Sequence, residues 1–269
     1  DRPAEVPGYM TDLVTERSVR FIGQNAQRPF FIDVAYNATH WPYQVPDKPS
    51  KARINAGAIG PMDDSTSTRA DYVAMLERVD EGVGKILRAL DSLGLRQSTI
   101  VIFTNDNGGE WLSRNTPLFH HKWTVWEGGI RVPAIIRWPG HIPAGRVSSQ
   151  VGITMDLTAS ILAATRTPVP NDARLDGVDL FPVLEGRTPE IERTLFWRVV
   201  GARQQRAVRS GDWKLLFDGS RPLLFNLRTD IGERNNVIGQ HPEIARRLGP
   251  LLTAWQADVE DEAKRVTPR

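Results

Sequence analysis

Apolar residues along the chain fall into three textures. In the first they recur every three or four positions. Residues 11–23 predict a helix carrying Leu13, Val14, Val19, Phe21 and Ile22, just after Met10, with Thr11 as its N-cap. Residues 68–93 predict a longer one carrying Tyr72, Met75, Leu76, Val79, Val83, Ile86, Leu87 and Leu90. Gly94 suits its C-terminus, and Asp80, Glu81 and Lys85 fall on its solvated face. Residues 154–165 predict a third, with Ile161, Leu162 and Ala164 inward. Residues 242–264 predict a closing helix with Ile244, Leu248, Leu251, Leu252, Trp255 and Val259 on one face. The second texture is a nearly continuous apolar run, which at 29–36 suits a strand buried on both faces of a parallel sheet; 99–103 also predicts a buried strand and 131–137 another strand. The third begins near Glu192. Short β runs at 194–199, 206–209, 213–217 and 223–227, with turns at Asp212 and Asp218-Gly219, predict an antiparallel sheet. The expected division is therefore 1–191 as an α/β domain and 192–269 as a smaller subdomain. Residues 43–68 form a long polar loop and 168–184 a shorter one.

Candidate chemistry gathers where the strand 99–103 stops. It gives way to Thr104-Asn105-Asp106-Asn107-Gly108-Gly109, and in open α/β sheets ligands collect at the carboxyl ends of strands. Asp106 and Asn107 offer a carboxylate and an amide oxygen, donors that suit a hard cation. The same four residues, Asp-Asn-Gly-Gly, also make an ordinary turn, because each tolerates positive φ. A second Gly-rich turn, Trp126-Glu127-Gly128-Gly129, precedes the strand 131–137. Between the two turns stands Lys122, preceded by His120 and His121. Cationic and hydrogen-bonding groups this close to a candidate metal turn suggest an oxyanion substrate. His40 follows the strand 29–36 and is a further candidate.

Composition narrows the alternatives. The 269 residues are 40% hydrophobic and 25% charged, with a net charge of only +2, so the charge balance selects no partner and nothing resembles a nucleic-acid module. There is no cysteine, which excludes disulfides, thiolate metal sites and a cysteine nucleophile within these residues. No apolar run approaches membrane-spanning length, and no signal peptide opens the sequence. Asn37-Ala38-Thr39 is formally a glycosylation sequon and is discounted because His40 is expected to line a pocket.

The motifs resemble those of the type I sulfatases. Asp106-Asn107-Gly108-Gly109 matches that family's second metal motif. The segment from Pro117 through Lys122 to Glu127-Gly128-Gly129-Ile130-Arg131-Val132-Pro133 matches its substrate-lysine motif PL…K…(W/Y)EGG(I/V)RVP. His40 matches a family histidine that follows a PFF strand. Leu175-Asp176-Gly177-Val178-Asp179-Leu180 resembles a (D)GxDL segment, and residues 227–236 resemble (Y/F)(D/N)L…DPxExxN with Ile231 in place of proline. His120 and His121 depart from the Gly-rich residues common before the lysine.

The resemblance implies an alkaline-phosphatase-like, mostly parallel sheet flanked by helices, plus a small C-terminal antiparallel sheet with a closing helix. It implies that Asp106 and Asn107 are metal ligands, for Ca²⁺ in preference to Mg²⁺. Lys122 and His40 would be catalytic and substrate-binding, with His121 touching substrate and Glu127 and Arg131 supporting them. The loop 43–68 would shape the pocket mouth. The paired-Asp motif and the (C/S)xPSR motif, whose Cys or Ser becomes formylglycine, do not occur in the sequence. The expected reading is thus the later part of a sulfatase acting on a sulfated small molecule or glycan, inactive alone and poorly soluble without its earlier strands. The setting implied is periplasmic, secreted or lysosomal. Two alternatives stay open: a phosphomonoester or phosphonate hydrolase of the alkaline-phosphatase-like group, and a non-catalytic protein that binds sulfated glycans.

Overall fold

The computed structural model describes residues 6–46, 48, 67–200 and 204–266. It falls into two compact units, Asp1–Ile100 and Val101–Arg269. The expectation for the loop 43–68 lies largely outside the described residues.

In the first unit, helix α1 (Met10–Asn25) packs on helix α2 (Arg69–Ser92). The N-cap of α1 is Tyr9, and Thr11 lies inside the helix. Its buried face is Thr11, Thr15, Ser18, Ile22 and Asn25, and it is mostly polar, while Met10 and Phe21 are exposed. The cause is a close approach. A Cβ on Gly82 of α2 would stand 2.5 Å from Thr15 Oγ1 and 2.6 Å from the Tyr36 hydroxyl. Small hydroxylated residues fit there, and they satisfy themselves locally: Thr15 donates to the Thr11 carbonyl and Ser18 to that of Val14. Arg78 clamps both oxygens of Asp12 across the helix pair. Thr68 caps α2 as a capping box with Asp71, which also meets Lys48 at 2.9 Å. The Lys48 ammonium and the Thr68 hydrogen bonds hold the Asp71 carboxyl down at about 2. Gly94 takes φ +71° after the helix, as its position predicts, whereas Leu76 is exposed. Residues 29–36 make no ladder with any described residue, and their exposure alternates along the segment. Phe31 is 71% exposed.

The second unit opens with β1 (Val101–Thr104), which pairs antiparallel with β2 (Ala134–Arg137), Phe103 facing Ile135. Between them the Gly-rich turn winds into one helical turn, α3 (Glu127–Ile130). Helix α4 (Thr154–Thr165) buries Asp156, Ala159 and Ser160, not the expected Ile161, Leu162 and Ala164. Asp156 is the reason: it accepts the amides of Ile153 and Val178 and pairs with Arg193. A single turn, α5 (Phe181–Leu184), interrupts the expected loop 168–184.

The antiparallel sheet is as expected, in the order β3 (Thr194–Val199), β4 (Gln205–Ser210), β5 (Trp213–Asp218) and β6 (Arg221–Asn226). Strand alternation gives it two apolar faces. Val208, Leu215 and Leu224 meet Leu248 and Leu252 of helix α6 (Pro242–Val266), although Leu251 is exposed. Ala207, Leu216 and Phe225 meet Val125 and Trp126. That second face carries the candidate chemistry.

Candidate active site

The two Gly-rich turns are knotted together by backbone. Gly108 N donates to the Gly129 carbonyl at 2.9 Å, Gly128 N to that of Phe119 at 2.8 Å, and Lys122 N to that of Gly109 at 3.1 Å. Asn115 Nδ2 donates to the Gly109 and His120 carbonyls at 3.0 and 3.1 Å. Only glycine permits this approach at residue 108, where a Cβ would stand 1.9 Å from the Gly128 carbonyl oxygen. The Asp106 turn and the Lys122 segment are therefore one constellation.

Within it, Asp106 is exposed at the head of the turn and accepts the Asn107 amide at 2.9 Å. Asn107 Nδ2 donates to the Gly108 carbonyl at 2.9 Å, which makes the amide oxygen the atom a cation would meet. Among the described residues no group of three or more His, Asp or Glu converges on a common point. Lys122 Nζ lies 3.9 Å from Glu110 Oε2 and 5.2 Å from the centre of the Trp123 ring. The His121 ring nitrogen Nδ1 is 2.8 Å from the Lys122 carbonyl, and Thr124 Oγ1 donates to the His121 carbonyl at 2.8 Å. His120 stacks over the buried Trp126. His120 and Trp123 both adopt left-handed backbone, at φ 64° and 71°, so this loop holds a strained shape of the kind found at functional sites. His40 belongs to the other unit, where it is exposed and its amide donates to the Asn37 carbonyl at 2.8 Å. Asn37 is itself exposed, which removes the ground for discounting its sequon.

Beneath the knot lies a buried ionic cluster. Lys214 of β5, Glu127 of α3 and Glu233 are 0%, 3% and 0% exposed in their side chains, and Lys214 Nζ stands 2.8 Å from each carboxylate. Lys214 donates to Glu127 Oε1, whereas its contact with Glu233 Oε1 is an ion pair off the hydrogen-bond direction. Glu233 Oε2 in turn accepts the Glu127 amide at 2.6 Å. Burial opposes charge on both acids. At Glu127 the Lys214 ammonium more than offsets it and the carboxyl is lowered. At Glu233 burial wins and the carboxyl is raised. Gln205 Oε1 accepts the Val125 amide at 3.1 Å. Two side chains of one sheet face thus hold the segment 125–127 that carries the knot.

Sequence reading finds Asp106, Asn107, Lys122 and the Glu127 turn. It misses Glu110, Trp123, Lys214 and Glu233. The available signal is the lysine inside the apolar run Trp213-Lys214-Leu215-Leu216, since a cation on a buried strand requires a carboxylate.

Comparison with known proteins identifies the family. The Sulfatase family profile matches residues 1–167, and the profile of the N-sulphoglucosamine sulphohydrolase C-terminal region matches 116–257. The chain belongs to the sulfatase family. N-acetylgalactosamine-6-sulfatase of Mus musculus is 39% identical over 197 residues, covering 70% of this chain and 35% of that protein. N-acetylgalactosamine-6-O-sulfatase of Bacteroides thetaiotaomicron is 28% identical over 271 residues, covering 90% of this chain and 50% of that protein. The crystal structure of Ps i-CgsB in complex with k-i-k-neocarrahexaose superposes with a TM-score of 0.83 at 28% identity, covering 94% of this chain and 56% of that one. The chain therefore spans a third to somewhat over half of these relatives. Its fold is that of the sulfatases, alkaline-phosphatase-like with the small antiparallel sheet and closing helix. No helix among the described residues is long and apolar enough to cross a membrane.

Proposed function

We propose that the protein carrying this chain hydrolyses sulfate esters, and that Asp106, Asn107, Lys122, His121 and His40 are this chain's share of its active site. The observation that carries the reading is the backbone tie between the Asp106 turn and Lys122, which gives a cation-suited turn and an ammonium one shared support. The net reaction adds water across the ester and yields an alcohol and hydrogen sulfate.

Asp106 and the Asn107 amide oxygen fit a hard divalent cation, Ca²⁺ in preference to Mg²⁺. As two donors of the about six to eight that Ca²⁺ takes, they need partners outside this chain. When bound, such an ion supplies Lewis-acid charge neutralisation at the sulfuryl oxygens. Lys122 directs fixed positive charge at the sulfate and its bridging oxygen, where negative charge builds as the ester bond breaks. His40 hydrogen-bonds the leaving oxygen and delivers its proton. His121 flanks the sulfate. The attacking group is a formylglycine outside these residues, since no cysteine and no Ser-x-Pro-Ser-Arg occurs here. The parent divides near 191/192 and works in a periplasmic, secreted or lysosomal setting.

The test is turnover by the full-length protein of p-nitrophenyl sulfate against p-nitrophenyl phosphate. Sulfate release favoured over phosphate release by about 10²-fold or more, and abolished in Lys122→Ala, is expected. Preference for phosphate overturns the reading in favour of a phosphomonoesterase. Sulfated-glycan binding without turnover of either ester overturns it in favour of a binding protein.

A further inference from the structure

Trp123 follows the candidate substrate lysine and is held in an unusual way. Its backbone sits at φ 71°, a region that bulky side chains avoid. Its ring is 55% exposed, yet it is not left to rotate. Its Nε1 donates to Glu110 Oε1 at 3.2 Å, and Glu110 Oε2 faces the Lys122 ammonium at 3.9 Å. One carboxylate thus ties an indole plate and a cation into a single unit. Glu110 comes directly after Gly109, the residue whose carbonyl receives the Lys122 amide, and precedes a second exposed ring, Trp111, at 65%.

A fixed indole face, a carboxylate with unused lone pairs and an adjacent ammonium suit three parts of one molecule. The indole matches the apolar C–H face of a pyranose. A carboxylate has about four acceptor sites, enough for ring hydroxyls besides the indole N–H. The ammonium matches the ester oxygens. The same carboxylate repels a further anion on that ring. Resting on the proposed sulfatase reading, we infer that Trp123 and Glu110 form the specificity-determining subsite beside Lys122. It accepts a neutral, hydroxyl-bearing sugar ring that carries one sulfate ester and disfavours the same ring carrying two.

The test uses the full-length protein, a panel of methyl hexopyranoside monosulfates and disulfates, and inorganic sulfate as a competitive inhibitor. Trp123→Ala should raise KM for the best monosulfate about tenfold, the loss of one stacking contact, with kcat and the Ki of inorganic sulfate nearly unchanged. Trp123→Phe, which keeps a plate, should fall between it and the wild type. Glu110→Gln should lower the preference for monosulfate over disulfate about tenfold. An equal rise in KM and in the Ki of sulfate would mean that Trp123 merely supports Lys122, and would overturn the subsite. So would an unchanged KM, or an unchanged mono-to-disulfate ratio in Glu110→Gln. Binding is read separately, from quenching of tryptophan fluorescence by the monosulfates. A wild-type protein that hydrolyses no sulfate ester, yet shows quenching that Trp123→Phe removes, loses the enzymatic reading and keeps the subsite. Neither hydrolysis nor quenching overturns both.

Discussion

Replacing Lys214 by methionine tests whether the ionic cluster under the two turns holds them in place. The substitution keeps roughly the volume and removes the charge that lies 2.8 Å from both Glu127 and Glu233. Glu127 retains Arg131, at 3.3 Å and with a guanidinium side chain that is 45% exposed. Glu233 retains only the Glu127 amide among these contacts. Each contact carries about 6 kcal/mol of raw attraction at an effective dielectric near 20. The desolvation of three buried ions cancels most of it. What the variant reports is the cost of stranding buried carboxylates, about 3–5 kcal/mol. Glu233→Gln is the control. It keeps an acceptor for the Glu127 amide and leaves one cation for one anion, so it should cost about 0.5–1.5 kcal/mol. A protein of several units need not unfold in two states, so hydrogen exchange of peptides covering 123–131 and 205–217 is the appropriate assay. Lys214→Met should speed exchange there about 10²- to 10⁴-fold, and Glu233→Gln by about tenfold or less. An acceleration below about fivefold in Lys214→Met, or equal effects of the two variants, would refute the reasoning. The pH dependence adds a sign. Because burial raises the Glu233 carboxyl above 4.5, its neutral form favours the folded state. That contribution is full at low pH and is lost as pH rises through the folded-state value. Glu233→Gln should therefore gain on the wild type as pH is raised above 4.5, the reference value.

Other perturbations follow from the same geometry. Thr68→Ala removes the cap of α2 and should cost about 1 kcal/mol in the thermal transition of the full-length protein. An unchanged transition would count against the capping box. The Asp71 carboxyl lies at about 2 rather than 3.8, so its contribution is present above 3.8 and lost as pH falls towards 2; in Asp71→Asn, acid denaturation should lose that component. Leu252→Ala opens a cavity between α6 and the sheet, where Leu252 is 1% exposed, and should cost about 2–5 kcal/mol by the same thermal measurement. The isolated 269-residue chain exposes Phe31 to 71% on a segment that makes no ladder with any described residue and should aggregate when expressed alone. A cooperative melt of that chain would contradict this.

Legibility in the sequence followed the range of the interactions. The sheet β3–β6 could be read because each strand pairs with its neighbour in the chain, and alternation assigns successive residues to its two faces. The stop at Gly94 is equally local. The Asp106 turn and the Lys122 segment were legible as motifs, but not the knot between them, which depends on how closely Gly108 approaches residues 128 and 129. The face of α1 was misjudged because packing against Gly82 selects small hydroxylated residues over large apolar ones. Lys214 and Glu127 lie 87 residues apart, and no periodicity couples such positions. Residues 29–36 have the texture of a central strand, while the partners that would complete a ladder are not among the described residues.

The central claim is that the Asp106 turn and Lys122 act as one site on one sulfate. A double-mutant cycle on kcat/KM for p-nitrophenyl sulfate in the full-length protein tests it most directly. Asp106→Ala and Lys122→Ala should each lower kcat/KM by about 10²-fold or more, and the double variant should be scarcely worse than the more damaged single one. Losses that simply multiply would contradict the claim and assign the two residues to separate tasks.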